Sequence, residues 1–407
     1  MIQKECGELI SYLHNNIPFY NEKINEISAY DDPLELFGQL PIIDKKDIRH
    51  RYMDFIKKEI AEEVSEFLNQ NDRAYDKDYN FRIGKYDLWI ECTSGSTGIP
   101  FSIVKSRNER IRIGRNIWRL RNNFAEISPK AFFSFMHNRE GGYAFPFDEI
   151  KDCEKRKKKE LNYLINNKYK WWHIYPKQLD GYCQIMQKNN IDIPSLEVIE
   201  CNGAFISDTE KQGWEKIFKC KIANNYGNRE VWTIAYTCKC GNLHVNEDSV
   251  FLEIIDDDGN IVINSDVIGN VVVTSKYNMI MPFVRYKTGD FAIYKKNECA
   301  CGKTSPIIEI IPNRQIIIGT NINGNTVFRS VINNIVLWEK IRDFYSINVI
   351  QNIDEVFKVY VKGYNGNKAI FENAFTKWTY RILDMRINLI YIYDSEKEFK
   401  SLFSIGK

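Results

Sequence analysis

The sequence feature that most constrains the fold is a pair of Cys-x-Cys-Gly segments far apart in the chain. The first, at 238–241, is soon followed by a histidine, and the second lies at 299–302. Thiolates and imidazoles are the ligands that tetrahedral zinc takes, and a cytoplasmic chain keeps its other thiols reduced. The pattern predicts a structural zinc that joins the two segments, with no open coordination position for catalysis. More candidates are present than the four positions need: Cys238, Cys240, His244, Cys299 and Cys301.

Length and composition favour a soluble protein with more than one domain. The chain has 407 residues, of which 44% are hydrophobic and 27% charged, which is ample apolar material for more than one core. Its 56 Lys and Arg residues nearly balance 54 Asp and Glu residues, so no long-range field favours nucleic acid or an anionic membrane as a partner. No apolar stretch approaches the ~18 residues that cross a bilayer, and the start lacks the apolar core of a secretion signal. We therefore expect a cytoplasmic location and neither nucleic acid nor membrane as a partner.

One local run of charge stands out at 155–159, where five basic residues follow one another between Glu154 and Glu160. Neighbouring charges of both signs are typical of a solvated helix face. We interpret the run as such a face rather than as a binding surface.

Hydrophobic periodicity predicts an α/β protein of two domains, 1–312 and 313–407. Helices are expected at 6–15 and 59–68, and a hairpin turn at 256–259. Past the boundary, a compact module reads as strand, helix and strand, with Phe371, Phe375, Trp378 and Ile382 on one helical face. The expected strands are 86–90, 131–135, 196–201, 251–255, 270–274, 357–361 and 388–393.

The segment most informative about chemistry is a loop of glycines and hydroxyl residues. Thr93-Ser94-Gly95-Ser96-Thr97-Gly98 follows a candidate strand and is closed by Pro100. Glycine backbone N–H groups and hydroxyl donors suit an anion such as a polyphosphate, although the Gly-Lys-Ser/Thr ending of the commoner nucleotide loop is missing. A flexible linker is the alternative, and Pro100 argues against it.

This loop resembles the phosphate-binding loop of the adenylate-forming superfamily, the acyl-CoA ligases and their relatives. Further segments match the family's motifs in the family's order: 202–204 (Asn-Gly-Ala), 226–230 (Tyr-Gly-Asn-Arg-Glu), 285–290 (Arg-Tyr-Lys-Thr-Gly-Asp) and 313–314 (Asn-Arg). Within the superfamily, segments 17–20, 40–49, 243–248 and 281–285 resemble the branch of phenylacetate-CoA ligase and the capsular-polysaccharide protein CapK. The zinc set of that branch maps to Cys238, His244, Cys299 and Cys301.

The resemblance implies a large N-terminal domain with mixed sheets, covered by a small α+β C-terminal lid. It implies that Tyr226 stacks on adenine, that Glu230 helps to hold Mg²⁺ and that Asp290 accepts hydrogen bonds from the ribose hydroxyls. Arg314 would lie at the hinge beside the nucleotide, and Lys407 resembles the late lysine that neutralises charge during adenylation. The other implied site residues are the loop hydroxyls Thr93, Ser94, Ser96 and Thr97 and the nucleotide-contacting Gly95, Gly98, Gly203, Ala204 and Gly227.

The implied reaction joins ATP and a small-molecule carboxylic acid to give acyl-AMP and pyrophosphate, after which an acceptor displaces AMP. CoA is the acceptor that the phenylacetate-CoA ligase resemblance implies. Amide formation with an amine, in polysaccharide or specialised-metabolite biosynthesis, is the alternative, because 313–315 lacks the family's glycine before the arginine and its acidic hinge residues. A nucleotide-binding scaffold without catalysis is a third reading. The sequence leaves open the acid, the acceptor and the oligomeric state, a homodimer included.

Two aromatic segments are candidates for an acyl pocket. One is the dense cluster at 171–176, and the other contains Phe132, Phe133, Phe135 and His137. Substrate pockets are mainly apolar and aromatic, but so are protein cores. Pocket and core remain equally good interpretations of both segments.

Overall fold

The structure is a computed structural model whose contacts divide the chain into two compact units. The first unit comprises Met1–Cys92, Ser102–Ala125 and Asn225–Pro312, and the second comprises Thr93–Phe101, Glu126–Asn224 and Asn313–Lys407. Among the residues that the structure describes, no helix combines the length and apolarity that a bilayer crossing requires. The described residues are 2–27, 32–70, 79–92, 102–134, 152–256, 259–262, 267–295, 298–311, 331, 335, 339, 341, 346–351, 356–362, 364, 366–383 and 388–393.

The first unit opens with short helices whose starts are marked in the sequence. Proline occupies the first turn of two of them, and Asp44 and Asp47 form a capping box at a third, as favoured at helix N-termini. The predicted helices at 6–15 and 59–68 are confirmed. The helices are α1 (Ile2–Asn16), α2 (Pro18–Glu26), α3 (Pro33–Gln39), α4 (Lys45–His50) and α5 (Ala61–Gln70).

A three-stranded antiparallel sheet follows in the same unit, formed by β1 (Tyr79–Ile83), β2 (Tyr86–Cys92) and β3 (Ser102–Ser106). Cys92 pairs with Ser102, so β2 and β3 stay in register up to the point where segment 93–101 leaves one strand and returns to the other. Helix α6 (Arg107–Phe124) begins directly after β3 with a capping box between Ser106 and Glu109.

The second unit contains a parallel sheet alternating with helices, in the order β4, β5, β6 and the first half of β7. Its helix α9 starts at a capping box formed by Ser207 and Glu210. The elements are β4 (Phe132–Ser134), α7 (Cys153–Asn166), β5 (Trp171–Ile174), α8 (Leu179–Asn189), β6 (Val198–Cys201), α9 (Asp208–Phe218) and β7 (Lys221–Asn228).

One face of this parallel sheet packs into a core with the helices. Trp172 is fully buried there, and its ring meets Tyr182 and Phe218 edge-on with centroid distances of 4.9 Å and 5.9 Å. Trp171, the next residue along the strand, points to the opposite face because side chains alternate. Trp172 is therefore a core residue, and Trp171 is buried as well, on the opposite face, at 1% exposure.

Replacing Trp172 with Ala is expected to destabilise the protein by about 3–5 kcal/mol, because the cavity left in the core closes only partly. Urea denaturation followed by circular dichroism measures the change. Ile370→Ala is the control, since this side chain is 58% exposed. Equal losses for the two variants would contradict the core assignment.

The basic run at 155–159 lies on α7, and its prediction as a solvated face is wrong for one residue. Lys155 and Lys159 are exposed, but Lys157 is only 2% exposed and its Nζ lies 3.5 Å from the centroid of the Tyr182 ring. Burial lowers the pKa of Lys157 to about 7. The helix is amphipathic within the charged run itself, because Glu160 on the same side is buried as well.

The remainder of the first unit is an antiparallel sheet in the order β10, β11, β12, β13, β9, β8 and the second half of β7. Strand β11 is buried along its whole length. The predicted turn at 256–259 lies partly outside the described residues, but Ile255 and Ile261 form an antiparallel bridge around it. The strands are β8 (Trp232–Thr237), β9 (Leu243–Val245), β10 (Val250–Ile255), β11 (Gly269–Ser275), β12 (Tyr286–Lys295) and β13 (Ile307–Ile311).

The last described elements form the predicted strand, helix and strand, with one further strand ahead of them. They are β14 (Ser346–Gln351), β15 (Val356–Lys362), α10 (Lys368–Leu383) and β16 (Asn388–Tyr393). Phe371, Phe375 and Trp378 lie in one buried cluster, as the helical spacing predicts. The mixed α/β fold class and the predicted strands are confirmed for the described residues.

Candidate nucleotide and metal sites

A tyrosine and an aspartate from distant motifs meet in the first unit. The hydroxyl of Tyr226, on β7, donates a hydrogen bond of 2.9 Å to Oδ2 of Asp290, on β12, across a sequence separation of 64 residues. The backbone N–H of Asp290 donates to the hydroxyl of Thr288 at 3.1 Å. Burial raises the pKa of Asp290 from 3.8, and burial together with the nearby Asp290 raises that of Tyr226. The ring of Tyr226 and the carboxylate of Asp290 thus lie next to each other, and the carboxylate oxygens can accept further hydrogen bonds.

A second carboxylate, Glu230, is buried in the same unit with only 1% exposure. It accepts a hydrogen bond of 2.9 Å from the hydroxyl of Tyr286, and the ammonium of Lys45 lies 2.8 Å from the same oxygen. Burial, then the neighbouring Glu230, raises the pKa of Tyr286. A buried carboxylate oxygen that already faces a cation has the charge and the hardness that Mg²⁺ prefers.

Lys45 reaches Glu230 because the start of α4 is tied to β12. The N–H of Ile43 donates to the carbonyl of Arg285 at 3.1 Å, and the N–H of Lys287 donates to the carbonyl of Ile43 at 2.8 Å. This parallel bridge places Ile43 opposite Tyr286. Lys45 and Tyr286 were missed as site residues by the sequence reasoning, although both lie inside segments that carry the resemblance.

The turn between β7 and β8 brings two stretches of backbone very close together. A Cβ atom at Gly227 would lie 1.7 Å from the carbonyl oxygen of Trp232, so only glycine fits there. Trp232 itself has φ of 64°, a left-handed conformation that bulky side chains rarely adopt. The backbone thus shapes the turn on which Glu230 sits.

Four of the five predicted zinc ligands converge in the first unit. The ligand atoms of Cys238, His244, Cys299 and Cys301 all lie within 4.8 Å of one another. Cys240 is exposed and does not belong to this group.

The distances within the cluster fit a tetrahedral zinc ion. The sulfurs of Cys238 and Cys299 are 3.6 Å apart, and the sulfur of Cys301 lies 3.5 Å from Nε2 of His244. Ligands at ordinary zinc distances are separated by roughly 3.8 Å for two sulfurs and roughly 3.6 Å for sulfur and nitrogen. The Nδ1 of His244 lies 2.9 Å from the carbonyl oxygen of Ser305, a contact that would turn Nε2 toward the metal.

The remaining predicted residues fall elsewhere. Gly203 and Ala204 belong to the second unit, just after β6, and Gly203 has φ of 86° with Tyr175 beside it. The following predicted residues lie outside the described part of the chain: Thr93, Ser94, Gly95, Ser96, Thr97, Gly98, Phe135, His137, Arg314 and Lys407.

A polar line crosses the parallel sheet of the second unit on the face opposite Trp172. The hydroxyl of Ser134 is 2.9 Å from Nδ1 of His173, whose Nε2 is 3.9 Å from Glu200. The indole N–H of Trp171 donates to Glu200 at 3.2 Å. These side chains stand on adjacent strands in register, which the aromatic pattern alone did not predict.

Comparison with known proteins places the fold. The sequence matches no protein-family model, and no curated protein matches it. Among solved structures, 2-hydroxyisobutyryl-CoA ligase in complex with 2-HIB-AMP and CoA in the thioesterification state is similar with a TM-score of 0.64 and 13% identity, over 98% of this chain and 87% of that one. The open conformation of that ligase with 2-HIB-AMP and CoA gives a TM-score of 0.58 and 14% identity, over 100% of this chain and 91% of that one. The protein therefore has the multidomain α/β fold of adenylate-forming enzymes.

Proposed function

We propose that this protein is an ATP-dependent adenylate-forming ligase, which activates a carboxylic acid as acyl-AMP and transfers the acyl group to an acceptor. The observation that carries the proposal is the convergence of two motif carboxylates in the first unit. Asp290 contacts the Tyr226 ring's hydroxyl, and Glu230 is held by Lys45 and Tyr286. The charges of Glu230 and Lys45 also reach Asp290, where they act in opposite directions on its pKa after the larger effect of burial.

Each residue has a distinct task in the proposed reaction. Asp290 accepts hydrogen bonds from the ribose hydroxyls, and the ring of Tyr226 stacks on the adenine, as the resemblance implies. The amides and hydroxyls of segment 93–98 hold the phosphates in line for attack by the carboxylate on the α-phosphate. Glu230 is the residue that would hold Mg²⁺, which when bound neutralises phosphate charge. Lys45 supplies a positive charge at one oxygen of Glu230.

The acceptor and the subfamily are finer parts of the proposal. The similar ligase structures contain 2-HIB-AMP and CoA, which supports CoA as the acceptor. A place near phenylacetate-CoA ligase and CapK is proposed from the sequence segments alone. Transfer to an amine remains the alternative because of the departures at 313–315. We further propose that 313–407 acts as the lid over 1–312, that the cysteine cluster holds structural zinc, and that the protein works in the cytoplasm.

The acceptor is tested by mass spectrometry of the products. The protein, ATP, Mg²⁺ and a panel of carboxylic acids are incubated with CoA in one series and with candidate amines in the other. A thioester supports the CoA ligase and an amide supports the alternative. ATP binding without any turnover would favour the nucleotide-binding scaffold, whereas acid-dependent AMP release without either product would indicate adenylation with an acceptor outside both series.

Replacing Glu230 with Gln is expected to slow Mg²⁺-dependent exchange of pyrophosphate into ATP at least about a hundredfold, because the metal loses its charged ligand. Affinity for AMP in the absence of Mg²⁺ should change little. Glu309→Gln is the matched control, since Glu309 is an exposed carboxylate in the same unit whose partner is Lys295. An E230Q variant with wild-type exchange would remove Glu230 from the metal site.

A further inference from the structure

A buried carboxylate beside the phosphate-binding segment holds two cations and an indole. Glu91, on β2, is 0% exposed and pairs with the ammonium of Lys105, on β3, at 2.8 Å. The guanidinium of Arg110, on α6, lies 2.9 Å from its other oxygen. The indole N–H of Trp232 donates to Glu91 at 2.8 Å. We refer to Glu91, Lys105, Arg110 and Trp232 as the Glu91 cluster.

Within the first unit, the cluster joins the ends of β2 and β3 to the turn that carries Glu230. Glu91 and Lys105 stand on the strands that flank segment 93–101, close to the Cys92 and Ser102 pair where that segment leaves the sheet. Lys105 also donates to the carbonyl of Arg229 at 2.8 Å. Arg229 directly precedes Glu230, and Trp232 closely follows it. Both contacts therefore fix the turn that carries Glu230.

The turn requires such fixation because its backbone is strained. Trp232 is held at a φ of 64° while Gly227 admits no side chain beneath it. Strained conformations persist where the surroundings over-determine them. The hydrogen bond from the Trp232 indole to Glu91, and the contact of Lys105 with the Arg229 carbonyl, supply that constraint.

Stability alone does not account for this cluster. Removing two charges from water costs free energy that their attraction need not repay, so buried ion pairs are often replaceable by apolar residues without loss. Lys105 is 0% exposed and Glu91 is 0% exposed, so neither is available to touch a bound ligand. We infer a positioning role instead, because charge-assisted contacts connect one carboxylate on β2 to β3, to α6 and to the turn at Trp232.

We propose that the Glu91 cluster is a positioning device, in which Glu91 and Lys105 set the ends of β2 and β3, which flank segment 93–101, at a fixed distance from Glu230. The inference rests on the proposed function, in which segment 93–98 and Glu230 together bind ATP with Mg²⁺. In the proposed function, ATP with Mg²⁺ would use both elements at once, because segment 93–98 would hold its phosphates and Glu230 would hold its metal. AMP lacks the pyrophosphate, and the proposed function assigns the carboxylic acid to neither element.

The test measures steady-state pyrophosphate exchange for wild type, Lys105→Met, Glu91→Gln and the double variant. We expect K105M to raise KM for ATP at least about tenfold and to leave KM for the carboxylic acid, and Kd for AMP, within about twofold. Because Glu91 and Lys105 act as a unit, KM for ATP of the double variant should be no more than about twofold above that of the single variant with the larger effect. Trp232→Phe, which removes the indole N–H and leaves a smaller aromatic ring, should raise KM for ATP in the same selective way and provides a second test if K105M does not fold.

Leu13→Ala is the control for a general loss of stability. Leu13 is 0% exposed and lies on α1, which contains no member of the Glu91 cluster. Its melting temperature should fall while KM for ATP stays at the wild-type value. The inference is overturned if K105M and W232F keep wild-type KM for ATP, if AMP affinity falls as much as ATP affinity, or if effects in the double variant simply add. Absence of exchange in the wild type with every acid would instead overturn the proposed function, and the inference with it.

Discussion

Replacing Asp290 with Ala is expected to weaken binding of both ATP and AMP at least about a hundredfold. The aspartate is the proposed acceptor for two ribose hydroxyls, and each hydrogen bond to a charged group contributes roughly 1.5–3 kcal/mol. Both nucleotides carry the ribose, so both should be affected alike, unlike variants in the Glu91 cluster. Isothermal titration calorimetry on the purified protein measures the two affinities directly.

Tyr226→Phe is the matched control for Asp290→Ala. It removes the hydroxyl that lies 2.9 Å from Asp290 but keeps the ring proposed to stack on adenine. We expect less than about a fivefold change in affinity, since one hydrogen bond between neighbouring protein groups is lost and the carboxylate remains. A D290A variant that binds ATP as well as the wild type would place the ribose elsewhere.

Cys299→Ser is expected to release the zinc and to lower the melting temperature by about 5 °C or more. A structural zinc contributes several kcal/mol to folding, and each kcal/mol shifts the melting temperature of a domain of 150–250 residues by roughly 2–4 °C. Metal content is measured by mass spectrometry of the purified protein, and unfolding by calorimetry. Loss of zinc should also loosen the link between the segments that contain Cys238 and Cys301, whose ligand atoms now lie within 4.8 Å of each other.

Cys240→Ser is the matched control, because Cys240 is exposed and lies outside the cluster. It should retain a full complement of zinc and the wild-type melting temperature. Zinc loss in C240S but not in C299S would show that the ligand set is different from the one the geometry supports.

The cluster of Cys238, His244, Cys299 and Cys301 was predictable in part from local sequence patterns. Two Cys-x-Cys-Gly segments predict that distant parts of the chain meet, because neither segment alone supplies the four ligands of a structural zinc site. The same pattern does not predict which of Cys238 and Cys240 is a zinc ligand. The two residues lie in one turn, where the side chain of Cys238 is buried and that of Cys240 is exposed. That choice depends on the backbone between β8 and β9, where Cys238 N–H bonds to the carbonyl of Asn242.

The carboxylate site was predictable only in part. Tyr226, Glu230 and Asp290 belong to motifs whose order along the chain points to one nucleotide. Lys45 could not be found in this way, since its contact with Glu230 depends on a parallel bridge between Ile43 and Tyr286, a pairing of distant segments with no local signal.

Buried charges were the other limit of sequence reasoning. Lys157 sits in a run of basic residues that resembles a solvated face, yet α7 turns it toward Tyr182. Glu91 and Lys105 are charged residues next to apolar ones on β2 and β3, and charged residues in strands are ordinarily expected to face water. Both lie at 0% exposure because they pair with each other, and partners across a sheet are not visible in one strand's sequence.

The central claim is that this protein forms acyl-adenylates, and the most direct test is exchange of labelled pyrophosphate into ATP by the wild-type protein with Mg²⁺ and a panel of carboxylic acids. We predict exchange that depends on the presence of one acid or a small chemical class of acids and that disappears in the Asp290→Ala variant. Exchange with no acid dependence, or none with any acid while ATP still binds, would contradict the account.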